Sequence, residues 1–149
     1  YEDRQVSWLP SYGPEMRGGT ANCSVTVSDS PIGSPIISHP DILIAMNLPS
    51  LDKYEDSVKP GGQIYIDSTL IERKVNRTDV SAFYIPATQM ASDSGLTTLA
   101  NMIIMGKVLR EGGAVSYEGL GDALKKVVSA KHADLYDANM KAIEMGYNF

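Results

Sequence analysis

A chain of 149 residues with 43% apolar and 21% charged side chains and a formal charge of −5 has the profile of one acidic globular domain. That balance excludes disorder and collagen, and a chain of this length buries roughly 70% of its unfolded surface without disulfides or metals as staples. No run approaches the roughly 18 apolar residues of a membrane span, and no charged segment with an apolar core opens the sequence, so a cytoplasmic protein without a membrane partner is expected.

Cys23 stands alone, which excludes an internal disulfide and a Cys-based metal cluster within the chain. Tyr1 to Val58 carries eight acidic and three basic residues, and Lys59 to Phe149 carries ten of each. Basic residues cluster only as short pairs, Arg73-Lys74 and Lys125-Lys126, which read as solvated surface. Nucleic-acid binding, which needs a basic footprint to displace counterions, is set aside.

In chain order, Val6 to Leu9 is short and apolar, and Asn22 to Ser28 alternates with the period of a half-buried strand; the two read as strands around a loop. Asp41 to Met46 is apolar on both faces, as expected of a central parallel strand, and Asn47 ends it. Leu48 to Ser57 has helical spacing with Ser50 as N-cap, and Lys59-Pro60-Gly61-Gly62 stops it. Gln63 to Asp67 is another buried strand, so a right-handed strand–helix–strand crossover is expected. Ala82 to Ile85 is a further strand before Pro86. Beyond Ala87 the pattern predicts three helices: one over Leu99 to Val108, one on the stripe Leu120, Leu124, Val127 and Val128, and one on Leu135, Ala138, Ala142 and Met145, with Gly146 as its C-terminal cap. The sum is a three-layer α/β/α sandwich with a mostly parallel sheet, one domain over 1–149, whose last helices close one face.

The most informative stretch lies between the first two strands. Tyr12-Gly13-Pro14-Glu15-Met16-Arg17-Gly18-Gly19-Thr20 combines turn makers, a Glu/Arg pair and adjacent glycines. Adjacent glycines let backbone N–H groups approach an anion, and Arg17 offers a planar fork for carboxylate or phosphate. A tight connection in which Glu15 and Arg17 pair with their neighbours accounts for the same composition. Neither GxGxxG nor GxxxxGK[ST] is present. His39 and His132 sit in no metal-ligand pattern, no Ser lies in a GxSxG elbow, and Cys23 reads as a small buried packing residue. The Met residues at 102, 105, 140 and 145 read as core or interface packing. From the residues alone no catalytic set and no metal site emerges.

The run Val6-Ser7-Trp8-Leu9-Pro10-Ser11-Tyr12-Gly13-Pro14-Glu15-Met16-Arg17-Gly18-Gly19-Thr20-Ala21-Asn22-Cys23 strongly resembles the gamma subunit of 2-oxoacid:ferredoxin oxidoreductases. Weaker matches follow in order: Pro31-Ile32, Pro40 to Asn47, Lys59-Pro60-Gly61-Gly62, Pro86-Ala87-Thr88, Ala100-Asn101-Met102 with Gly106, and Asn139 with Ala142 and Gly146. Members of that family normally begin with a strand, a Gly-Gly-Gln-Gly loop and a helix. This sequence starts after them at Tyr1, and residues omitted ahead of it are the expected reason. Without that βα unit, an unpaired sheet edge and exposed apolar surface are expected.

The resemblance implies oxidative decarboxylation of a 2-oxoacid to an acyl-coenzyme A with reduction of ferredoxin. Within the family, 2-oxoglutarate or branched-chain 2-oxoacids are favoured here over pyruvate. It implies that thiamine diphosphate, Mg2+ and [4Fe-4S] clusters belong to partner subunits and that no cofactor is bound by this chain alone. The implied partners are alpha and beta subunits, a delta subunit in some assemblies, and ferredoxin through the complex; the isolated chain is expected to be inactive. Tyr12, Gly13, Glu15, Arg17, Gly18 and Gly19 form the candidate loop for a coenzyme A or subunit contact. Asn47 joins them because open α/β sheets place ligands at the carboxyl ends of strands. The rival reading is a stand-alone doubly wound nucleotide- or flavin-binding module using Gly18-Gly19; a purely structural interaction subunit is the third.

Overall fold

The computed structural model describes residues 2–11, 21–128 and 130–149. Strands β1 (Gln5–Ser11) and β2 (Asn22–Ser28) pair antiparallel, from Gln5 opposite Ser28 to Ser11 opposite Asn22. Directly opposed residues share a face, so Val6, Trp8 and Pro10 lie with Val27, Val25 and Cys23, while Ser7 and Ser11 lie with Thr26 and Asn22. This ribbon is a sheet of its own. The parallel sheet contains β3 (Ile42–Ala45), β4 (Gln63–Asp67) and β5 (Ser81–Ile85) in that spatial order.

The middle strand is therefore β4 and not the expected Asp41–Met46 segment. Ile64, Tyr65, Ile66 and Asp67 are fully buried, whereas Ile44 on β3 is 41% exposed. Among the described residues nothing pairs with the outer edge of β3, so an apolar run that reads as doubly covered is covered on one flank only.

Alternation along β4 feeds two cores. Ile64 and Ile66 pack with Ala45, Leu51, Val58 and Ile71 on one face; Tyr65 packs with Ile85, Ala87, Ile103 and Ile104 on the other. Burying each such aliphatic side chain contributes about 2 kcal/mol. Helix α1 (Leu48–Tyr54) covers the first face and continues as a 3-10 turn over Glu55–Ser57. Its N-cap is Asn47, whose side chain accepts from the Ser50 amide at 3.0 Å; the expected cap, Ser50, is the donor, and Pro49 sits in the first turn, where its missing N–H costs nothing.

Among the described residues four α-helices, not three, follow β5. The additional one is α2 (Ala87–Asp93), separated from α3 (Ala100–Gly112) where Gly95 takes φ +70°. Helices α4 (Tyr117–Val127) and α5 (Ala133–Asn148) complete the chain. Gly146 is not a cap: it lies inside α5, where an added Cβ would stand 1.7 Å from the Ile103 carbonyl oxygen, and one on Gly106 would stand 1.9 Å from that of Ile143. The two glycines let α3 and α5 touch backbone to backbone. The methionines pack as expected, with Met102, Met105, Met140 and Met145 all set against buried clusters.

Two surface expectations are corrected. Arg73 is not a solvated cation: its guanidinium donates to Asp52 at 2.7 Å and to the buried Glu55 carboxylate at 2.8 Å, while Lys74 sits 4.0 Å from the Tyr84 ring centroid. Cys23 is exposed rather than buried, at the rim of a groove that it lines with Leu43, Ile44 and Tyr54.

Candidate functional site

The loop singled out by composition joins the two strands of the ribbon. Tyr12, Gly13, Glu15, Arg17, Gly18 and Gly19 lie outside the described residues; their flanks do not. Ser11 and Asn22 form the last cross-strand pair before the connection. At that point the Asn22 amide Nδ2 donates to the Tyr54 Oη at 2.7 Å, tying the loop-bearing end of the ribbon to the end of α1. A groove of about 330 Å³ runs beneath, lined by Ala21, Cys23, Leu43, Ile44 and Tyr54. The loop's base thus faces the open edge of β3.

The opposite end of the ribbon is held by charge-assisted bonds. Glu2 accepts from the Ser116 amide at 2.9 Å and its hydroxyl at 2.6 Å, and Ser116 in turn caps α4 through the Gly119 amide. Those hydrogen bonds hold the Glu2 carboxyl below the usual carboxylate range, as an anion at a helix N-terminus should be. Arg4 donates to the Ala114 carbonyl at 2.9 Å and lies 3.4 Å from Asp29. Between the tethers the apolar face of the ribbon stays open, with Val6 at 64%, Trp8 at 61% and Val25 at 52% exposure.

Asn47 is at the carboxyl end of β3, where the sequence places it, but its oxygen is engaged in capping α1. Among the described residues no hydrogen bond joins its side chain to the flanks of the loop. One step along the sheet sits a group that sequence reasoning passed over. Asp67, fully buried at the end of β4, accepts from the Thr69 amide at 3.1 Å, the Thr88 amide at 3.3 Å and the Thr88 hydroxyl at 2.5 Å. With three donors on its two oxygens, this carboxylate joins the ends of β4 and α2. An Asp closing an apolar run and followed by Ser-Thr is the signal that could have drawn attention to it.

The histidines are at the surface, His39 Nδ1 lying 3.2 Å from the Ser57 carbonyl oxygen. Among the described residues no group of three His, Cys, Asp or Glu side chains could hold a metal ion, and no helix is long and apolar enough to cross a membrane. What the described residues offer is a ribbon end tied to α1 through Asn22 and Tyr54.

Comparison with known proteins gives a consistent result. The family described as pyruvate ferredoxin/flavodoxin oxidoreductase matches residues 1–149. Ketoisovalerate oxidoreductase subunit VorA of Methanothermobacter thermautotrophicus is 37% identical over 97% of the chain, which spans only 30% of that protein. 2-Oxoglutarate synthase subunit KorC of Methanocaldococcus jannaschii is 33% identical over 99% of the chain and 78% of its own length. The crystal structure of a keto/oxoacid ferredoxin oxidoreductase gamma subunit from Geobacter sulfurreducens superimposes with a TM-score of 0.78 at 30% identity, covering 97% of this chain and 79% of that one. The 2-oxoglutarate:ferredoxin oxidoreductase of Magnetococcus marinus shares the fold, with a TM-score of 0.83 at 22% identity over 97% of this chain and 25% of its own.

Proposed function

The chain belongs to the pyruvate ferredoxin/flavodoxin oxidoreductase family, and from that membership we propose that it is the gamma-type part of a 2-oxoacid:ferredoxin oxidoreductase, oxidising a 2-oxoacid to its acyl-coenzyme A. The observation that carries the reading is the match along the whole of 1–149, together with a gamma subunit superimposing over 97% of the chain. The substrate is 2-oxoglutarate or a branched-chain 2-oxoacid, in keeping with relatives named for both.

The chain's own donors do not fit an iron–sulfur cluster, since one Cys cannot supply the set of thiolates that a cluster needs. No electron-transfer step is therefore assigned to it. Thiamine diphosphate, Mg2+ and the clusters are carried by alpha and beta partners, with a delta subunit where the assembly has one; thiamine diphosphate supplies the carbanion-stabilising chemistry. The role of this chain is to support assembly and to present the Tyr12–Thr20 connection, in which Arg17 pairs with an anionic group of coenzyme A or of a neighbouring subunit.

Anaerobic affinity purification of the full-length protein from its source, with mass spectrometry of what accompanies it and a 2-oxoacid- and coenzyme A-dependent dye-reduction assay, tests the assignment. Thiamine- and cluster-bearing chains with activity support it, and varying the 2-oxoacid names the substrate; a lone inactive monomer overturns it. In the purified complex, Arg17→Ala is expected to raise the KM for coenzyme A about tenfold, the loss of one charge-assisted contact. Unchanged KM and turnover would remove the loop from ligand recognition.

A further inference from the structure

Among the described residues the ribbon that carries the candidate loop shares no strand pairing with the parallel sheet, so side chains there fix the position of its open end. One of these is Tyr54. Its backbone is fixed from several directions. Asn47 caps α1 at the far end, Leu51 is wholly buried one turn earlier, and the Tyr54 carbonyl accepts from the Ser57 hydroxyl at 2.7 Å. The next residue, Glu55, is locked by the Arg73 guanidinium and the Asn76 amide. A side chain on so constrained a turn makes a firm anchor.

From it the phenol oxygen reaches Asn22, a contact of 32 residues' separation, on the last pair of the ribbon before the connection. Asn22 belongs to the polar face of the ribbon, so the bond sets both how far the ribbon end stands from α1 and which face it turns toward the edge of β3. We propose that Tyr54 is a positioning residue: through its hydroxyl it holds Asn22, and hence the Ser11–Asn22 end of the ribbon that flanks the connection, in register with α1. This deepens the function proposed above and rests on it for its kinetic consequence, though not for its structural one.

The geometry allows a clean set of variants. Tyr54→Phe keeps the ring and its packing while removing the hydroxyl. Asn22→Leu removes the amide donor, whereas Asn22→Asp lets the Tyr54 hydroxyl donate to a carboxylate, reversing the bond without abolishing it. In the intact complex, Tyr54→Phe and Asn22→Leu are each expected to raise the KM for coenzyme A about fivefold, with kcat within a factor of two. Both should speed amide hydrogen exchange at residues 21–24 about fivefold, leaving α3 and α5 unaffected, and the double variant should add nothing further. Asn22→Asp should restore both readouts. Unchanged exchange in Tyr54→Phe, or an Asn22→Asp variant indistinguishable from Asn22→Leu, would overturn the positioning role. If exchange rises as expected while neither Tyr54→Phe nor Arg17→Ala moves the KM, the anchor stands and the ligand role of the loop is what fails.

Discussion

Tyr65 shows how one buried group writes a pH dependence into the protein. Its ring stacks on Phe83 with centroids 4.9 Å apart, its hydroxyl donates to Gln63 Oε1 at 2.8 Å, and burial, aided by the Glu111 charge, pushes its pKa up to about 12. The folded state then keeps a proton that the unfolded chain releases near pH 10, so this contribution is complete below pH 10 and is lost as pH rises toward 12. Thermal unfolding followed from pH 9 to 12 should show the wild type losing stability relative to Tyr65→Phe across that window, while below it the variant is the less stable by about 1 kcal/mol for the missing hydrogen bond. Glu55 makes the complementary case. It is 5% exposed and ion-paired to Arg73, and Arg73→Ala strands its charge; a loss of about 2 kcal/mol in urea unfolding is expected, less than for a fully buried pair because the arginine remains partly wetted. Neither partnership is legible in sequence, since Glu55 looks like one more charge after a helix and Arg73 like half of a basic surface pair.

At the scale of elements, α3 and α5 meet through Gly106 and Gly146, each placed against the other helix's backbone. Gly106→Ala or Gly146→Ala must push the helices apart, and a loss of about 3 kcal/mol is expected by chemical denaturation. Gly121 in α4 is the control: its nearest neighbour to an added Cβ is Met140 Cε at 3.8 Å, so Gly121→Ala should be neutral or stabilising by up to about 1 kcal/mol. The strands β3 and β4 could be read directly because continuous apolar runs between turn residues have few other meanings. Gly146 could not, because a glycine near the end of a periodic segment looks the same whether it caps the helix or admits a neighbouring one. Asn47 and Ser50 exchanged roles for a similar reason: both residue types cap helices, and only the backbone angles at Asn47, φ −146° and ψ 162°, decide between them. The Tyr12–Thr20 connection was conspicuous by composition, yet the Asn22–Tyr54 bond that anchors its base spans 32 positions and leaves no local trace.

For the molecule as a whole, the edge of β3 that nothing pairs among the described residues and the exposed Val6, Trp8 and Val25 predict that the 149-residue chain by itself self-associates. Sedimentation should reveal concentration-dependent oligomers, reduced by Ile44→Lys, which sets a charge on the unpaired edge. The strand alternation in Asn22–Ser28 was plain, but which layer would cover Cys23 was not, because periodicity identifies a face and says nothing of what lies over it. The ribbon's two tethers also bear on how the molecule comes together during synthesis. Sheet and first helices are built from near neighbours in sequence, whereas Glu2 and Arg4 wait for Ser116 and Ala114, 114 and 110 residues later. Contacts closing loops of that length form late. The ribbon leaves the ribosome well ahead of the helix that fastens it, so for most of translation its Glu2 and Arg4 end is untethered, and the Val6 and Val27 surface that comes to share a cavity with Met105 and Leu120 is open to a chaperone or a companion subunit until α4 arrives.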